Sequence, residues 1–291
     1  MGTSIRALHR RNHILLQVIM RFRRSYRREI AERLTRRASP PPLTEADLAP
    51  LPEPVRRYVR LSGAVGQPRA HHFSARWRGR IRGGPDDAWM KFTATQHNFP
   101  GEPARFFLMH ATKSGLPVDA FHTFKAGRAT MRVRLLSFVP LVNASGPEMD
   151  RAETVTLFND LCLLAPGALV DPAIQWEPID VRSARGRYTV GSNTISAVLL
   201  FNEAGELVNF VSDDRLAVSS DGKELTRQRW STPVRDYRDF GPLRAFTRGE
   251  GRWHPPTGEF AYFEGELIDL EVNGGRGRGG RKAVGGKSVG Q

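Results

Sequence analysis

The chain has 291 residues, 40% of them hydrophobic, a single cysteine and a formal net charge of +14. One cysteine excludes an intramolecular disulfide and any cysteine-based metal cluster. The charge sits at the ends: residues 1–37 carry eleven Arg against Glu29 and Glu32, net +9, and residues 274–291 carry +5, so residues 38–273 are formally neutral and offer nucleic acid no global footprint.

The N-terminal apolar run, Ile14 to Met20, is broken by Gln17 and is far short of the roughly 20 residues that span a bilayer. No small-residue cleavage site follows it, so it does not read as a cleaved signal peptide. Residues 12 to about 31 form a basic amphipathic helix, with Leu15, Val18, Ile19, Phe22, Tyr26 and Ile30 on one side and Arg21, Arg24, Arg27 and Arg28 opposite. Such a helix can lie on an anionic membrane surface, dock on its own domain or a protein partner, or contact nucleic acid. The expected location is the cytoplasm, with peripheral attachment to the inner membrane through this helix.

Ser39-Pro40-Pro41-Pro42 is a stiff linker that marks a boundary. Two short helices follow, Thr44 to Leu48 and Pro54 to Leu61, with Gly63 as the cap of the second. From Phe73 onward strands dominate. Phe73, Ala75, Trp77, Gly79 and Ile81 alternate with Ser74, Arg76, Arg78, Arg80 and Arg82, and Gly83 to Asp87 is a turn. Runs at 89–98, 105–111, 118–125 and 130–136 make five strands before a change of period. The arginine row needs solvent, an anion or acids. The last strand carries Glu259, Glu264, Glu266, Asp269 and Glu271, so pairing of first and last strands would neutralise it.

Pro140 reads as a strand stop, and Ser145 with Glu148 as a capping box opening a helix from 147 to 165. Met149, Ala152, Val155, Phe158, Leu161 and Cys162 recur at helical spacing, and Pro166-Gly167 ends the run. Glu148, Asp150 and Glu153 crowd its first turns, where carboxylates favour the helix dipole. The sharper alternative is an acid/base site built from Asp150, Glu153 and Glu177, with Arg248 or Glu250 nearby. Trp176 to Asp180 reads as a corner, and six further runs with hairpin-length connections follow. The tail from Gly274, low in complexity and without apolar surface, is expected to be disordered.

The fold class is therefore mainly β (α+β): a large curved antiparallel sheet or half barrel of about eleven strands, with one long inserted helix and short N-terminal helices. The domain reading is residues 1–37 as basic helix, 38–51 as linker and short helix, 52–273 as one β-rich domain and 274–291 as tail. His97, His110 and His122 fall on neighbouring strands but lack zinc-site spacing, so neither a metal nor a cofactor is expected. No phosphate-cradling loop, nucleophile elbow or dinucleotide fingerprint occurs. The aromatic residues Trp77, Phe92, Phe124, Phe158, Trp176, Trp230, Trp253 and Tyr262 recur on these elements and are the candidate lining of an apolar pocket inside the curve.

The segments MRVRLLSFVPLVNASGPEMDRAE (131–153), WEPID (176–180), YRDF (237–240) and TRGEGRWHPPTGEFAYFEGELIDLE (247–271) resemble an uncharacterised bacterial family, a domain of unknown function, over about residues 52–272. The implied shape is similar to that of the lipoprotein-carrier and lipoprotein-sorting proteins of bacterial envelopes, a curved antiparallel sheet around helices. The chain departs from those carriers in lacking a recognisable export signal. The expected function is non-enzymatic binding of a lipid-like or other hydrophobic molecule, with an anionic membrane surface as a further partner. The alternatives are a hydrolase using the carboxylates and an RNA-associated protein working through its basic tails.

Overall fold

The structure, a computed structural model, describes residues 22–35, 40–136, 139–218 and 225–274. The Gly/Arg tail, the linker's Ser39 and the helix positions Leu15, Val18 and Ile19 lie outside these. In chain order come α1 (residues 22–34), a short 3-10 turn (Glu45–Leu48) and α2 (Glu53–Leu61). Six strands follow: β1 (Phe73–Ile81), β2 (Met90–Phe99), β3 (Ala104–Lys113), β4 (Leu116–Lys125), β5 (Arg128–Leu135) and β6 (Val139–Ser145). Helix α3 (Pro147–Leu164) and a 3-10 turn (Pro166–Val170) lead to β7 (Ile174–Asp180), β8 (Ser183–Val190), β9 (Asn193–Phe201) and β10 (Leu207–Ser212). The remainder is β11 (Leu216–Val218), β12 (Leu225–Arg227), β13 (Trp230–Ser231), β14 (Val234–Arg235), β15 (Arg238–Phe240), β16 (Leu243–Ala245), β17 (Arg248–Trp253) and β18 (Phe260–Val272).

One antiparallel sheet runs β6-β5-β4-β3-β2-β1-β18-β17-β13-β10-β9-β8-β7, with β14 also paired to β17, while β11-β12 and β15-β16 are separate hairpins. The sheet is not closed: β6 and β7 are its edges. The expected mainly β, curved and open architecture is what forms. The strand count is larger than about eleven, for local reasons. Pro140 does not end strand structure; it sits in β6, an edge strand where a missing N–H disturbs no ladder. The supposed corner Trp176–Asp180 is the opposite edge, β7. The long C-terminal runs are broken into short pieces that bend with the sheet.

β1 pairs with β18, the first strand of the sheet with the last, in the centre of the order. Arg76, Arg78 and Arg80 meet Asp269, Glu266 and Glu264 at 2.9, 2.9 and 2.7 Å. Each arginine donates through two nitrogens, the geometry in which exposed ion pairs contribute most. Register shifts at Arg76/Trp77 and Gly251/Arg252 place bulges in these central strands, which sharpens the curvature.

Because α3 connects edge β6 to edge β7, the chain must cross the inside of the curve. It packs against β4, β5 and β6 on one side and β9 and β10 on the other. Thirteen of its eighteen residues are buried, including Glu153, Thr154, Thr156, Asn159 and Asp160, so it is enclosed on all sides rather than amphipathic. The expected capping box is absent. Ser145 is held in β6 opposite Thr130, and Gly146 at φ +117° makes the turn into Pro147, a conformation that favours glycine. Asp150 instead accepts from the backbone N–H of Ala129 at 2.5 Å, fastening the first turn to β5. Gly186 lets Phe158 of α3 reach β8, since a Cβ there would come within 2.6 Å of the ring.

Of the roles open to the basic helix, residues 22–34 take the docking one. Phe22, Tyr26 and Ile30 are buried with Phe99, Phe106, Leu108 and Phe121 on the outer face of β2 to β4. The charge replacement Tyr26→Asp should therefore strip α1 from the sheet. It should cost about 2–4 kcal/mol in denaturant unfolding and raise binding of an apolar dye, because Phe106 and Phe121 lose their cover.

Candidate functional site

Alternation along β1 to β5 sends one set of side chains into the concavity and the other outward. The inward set is mostly apolar, and α3 covers only part of it. Phe92, Ala94, Met109, Ala111, Val118 and Ala120 form a buried cluster separate from the main core, and Trp77, Ile81, Met90, Phe107, Val133, Leu135 and Phe263 pack on it half-exposed. Val139 and Val142 of β6 stand opposite Leu135 and Val133 and carry the strip to the sheet edge. The result is a partly exposed apolar strip inside the curve.

At the inner end of the cleft the in-phase residues turn polar. Gln96 and Asn98 continue the line of Phe92 and Ala94, and Arg105 that of Phe107 and Met109; all three are buried. They meet α3. Arg105 donates to Asp160 at 2.7 Å and to Glu153 at 3.3 Å, while Gln96 and Asn98 donate to the same Asp160 oxygen at 2.5 and 3.1 Å. Trp77 donates to Gln96 at 3.1 Å, joining the cleft wall to the network. From the far side Arg215, just before β11, donates to Glu153 at 3.2 Å and to the carbonyl of Ala152 at 2.9 Å. Its guanidinium lies 4.8 Å from the ring centre of Trp230 and 5.9 Å from that of Trp253.

The protonation states follow from this arrangement. Burial pushes Glu153 up, but the guanidiniums of Arg105 and Arg215 outweigh it and hold the carboxyl below its ordinary range. Burial raises Asp160 above its ordinary range despite the pull of Arg105. His122, inward-facing on β4 between Phe107 and Met131, drops from 6.5 to about 4, chiefly through burial, with Arg105 and Arg215 adding repulsion. It is neutral near pH 7. A histidine held neutral in the fold but protonated in the unfolded chain lends stability above pH 6.5, and that stability is lost as pH falls from 6.5 toward 4. Denaturant unfolding of the wild type should lose up to about 3 kcal/mol more over that window than His122→Phe does.

The eight expected pocket residues divide into three places. Trp77 and Phe92 line the cleft, Phe92 stacked on Phe263 with ring centres 5.0 Å apart. Trp230, Trp253 and Tyr262 surround Arg215: Trp230 donates to the Tyr262 hydroxyl at 3.2 Å, and the rings of Trp253 and Tyr262 are 5.8 Å apart. Phe124 and Phe158 are fully buried core, and Trp176 packs on Phe158 while donating to the Leu169 carbonyl at 3.1 Å. The three expected carboxylates do not meet: Asp150 caps toward Ala129, Glu153 is in the buried quartet, and Glu177 is exposed on the outer face with Arg185 at 3.0 Å. Arg248 and Glu250 are also outward, opposite Glu266 and Glu264. His97 and His110 share the outer face at separate places, His97 against His72 at 2.8 Å and His110 against Asp119 at 2.5 Å, and His122 is inside. Among the described residues no three potential ligands gather around a metal position. The residues not singled out beforehand are Gln96, Arg105, Asp160 and Arg215, while His122 is weighed from the sequence only as a metal ligand.

Two grooves open on the outer face, of about 870 and 560 Å³. The first is lined by the paired Arg78–Glu266 and Arg80–Glu264, the second by Glu177 and Arg185 with Gln175 and Ser196. The walls of the second are mostly polar and suit an apolar ligand poorly. Among the described residues no helix is long and apolar enough to cross a membrane.

The model of a family of unknown function (DUF6544) matches residues 41–265. The chain belongs to this family. The resemblance implied by the SGPEMDRAE and WEPID segments, both inside the match, is of that kind. No curated protein matches. Among solved structures the chain is similar to a domain named for outer membrane lipoprotein sorting from Vibrio parahaemolyticus, at 12% identity and a TM-score of 0.38 over 70% of this chain and 86% of that one. It is also similar to a DUF1329 family protein from Desulfovibrio piger, at 12% identity and a TM-score of 0.43 over 78% of this chain and 94% of that one.

Proposed function

We propose that this chain is a non-enzymatic binding protein that holds a lipid-like or other hydrophobic molecule in the cleft inside its curved sheet. The observation that carries the reading is the second apolar cluster, whose inward residues from Trp77 to Phe263 stay half-exposed while the outer face of β1 and β18 carries paired ions. Contiguous apolar surface sheltered by a sheet marks a ligand site more often than it marks an unfinished core. The scattering of Asp150, Glu153 and Glu177 supports binding over hydrolysis.

Titration of the full chain with the neutral fluorophore N-phenyl-1-naphthylamine tests the reading. One saturable site is expected, weakened by about tenfold or more in Val133→Asp and unchanged in the outer-face control Arg187→Asp. Absence of saturable binding, or equal binding by both variants, would contradict it. The location that goes with the reading is the cytoplasm, and delivery to the inner membrane is assigned to the arginine-rich stretch upstream of Phe22. Sedimentation with anionic vesicles that persists after neutralising Arg6, Arg10 and Arg11 would count against that assignment.

A further inference from the structure

The cleft ends on charges that are already balanced. Arg105 and Arg215 face Glu153 and Asp160, two guanidiniums against two carboxylates, linked by contacts of 2.7 to 3.3 Å. A head group bringing its own charge to this place would leave one buried charge without a counterion, which is strongly unfavourable away from water.

Beside the quartet stands His122. Its strand partners are Phe107 and Met131, and the Phe107 ring lies edge-on 5.9 Å away. The imidazole has no hydrogen-bond partner among the described residues, and the residue as a whole is not fully buried. A neutral imidazole offers one donor and one acceptor. Arg105 uses Nε and Nη1 on Asp160 and Glu153, and its remaining terminal nitrogen has no protein partner among the described residues. An uncharged head with a hydroxyl and a carbonyl oxygen satisfies both groups without disturbing the charge balance.

Building on the binding reading above, we propose that the cleft selects apolar molecules bearing an uncharged, hydrogen-bonding head group, of the acylglycerol or long-chain alcohol class, over free fatty acids, and that His122 reads the head. The apolar strip from Phe107 to Leu135 takes the chain, and the compensated quartet rejects a carboxylate.

The test is displacement of N-phenyl-1-naphthylamine from the full chain by 1-monooleoylglycerol and by oleate, each below its aggregation concentration and at about pH 8, where oleate is ionised. The glyceride should compete at concentrations lower by about tenfold or more. His122→Phe, which keeps an aromatic ring but neither donor nor acceptor, should erase that preference, and His122→Gln should retain part of it. Oleate competing as well as the glyceride in the wild type overturns the assignment and leaves the apolar site standing. So does a preference that survives His122→Phe. Displacement by neither lipid overturns the apolar site itself.

Discussion

Replacing Arg105 with Leu should destabilise the protein by about 3–5 kcal/mol, because it leaves Asp160 and Glu153 buried with a counterion removed. All three side chains are 10% exposed or less, so water cannot take the place of the guanidinium. Neutralising one partner is expected to reverse much of the loss: Arg105→Leu combined with Asp160→Asn removes the orphaned charge, keeps the Arg215–Glu153 pair and leaves an amide oxygen that can still accept from Gln96 and Asn98. Denaturant unfolding of the single and double variants reads both effects. A single variant as stable as the wild type would mean that the quartet is hydrated and that the inner end of the cleft is not the low-dielectric place described above.

The second large effect belongs to Phe158. It is fully buried on α3, with ring centres 5.3 Å from Tyr188, 5.6 Å from Phe210 and 6.1 Å from Trp176. Phe158→Ala should cost about 3–5 kcal/mol, since the backbones of α3 and β8 are fixed by the sheet and cannot close over the void. The same variant separates core from site. Phe158→Ala should lower the melting temperature and leave probe affinity within about threefold, whereas Val133→Asp should do the reverse.

Much of the fold could be read from the chain. Unbroken alternation from Phe73 to Ile81 announced a strand, and the arginines on its other face found their acids on the final strand, which fixed the pairing in the centre of the sheet. Helix α3 was legible between its prolines. Its environment was not, because a helix enclosed on every side carries polar residues wherever the surrounding sheet supplies partners, and Glu153 and Asp160 look solvent-facing until Arg105 and Arg215 are placed beside them. A signal for the network did exist: Gln96, Asn98 and Arg105 fall in phase with Phe92, Ala94, Phe107 and Met109, and polar side chains on a core-facing phase announce buried hydrogen bonds. The aromatic inventory does not separate filler from lining. Phe124 is as inward in its strand's phase as Phe92, and the coverage by α3 decides which of the two a ligand could touch. Short strands such as β13 and β14 escaped notice because two residues have no period.

The most direct test of the central claim is native mass spectrometry of the full chain purified without detergent, with extraction and identification of whatever small molecule accompanies it. The account predicts one apolar, uncharged-headed molecule per chain, lost in Val133→Asp while the protein remains folded. A wild-type chain at its bare mass, yielding no apolar compound on extraction, would contradict it.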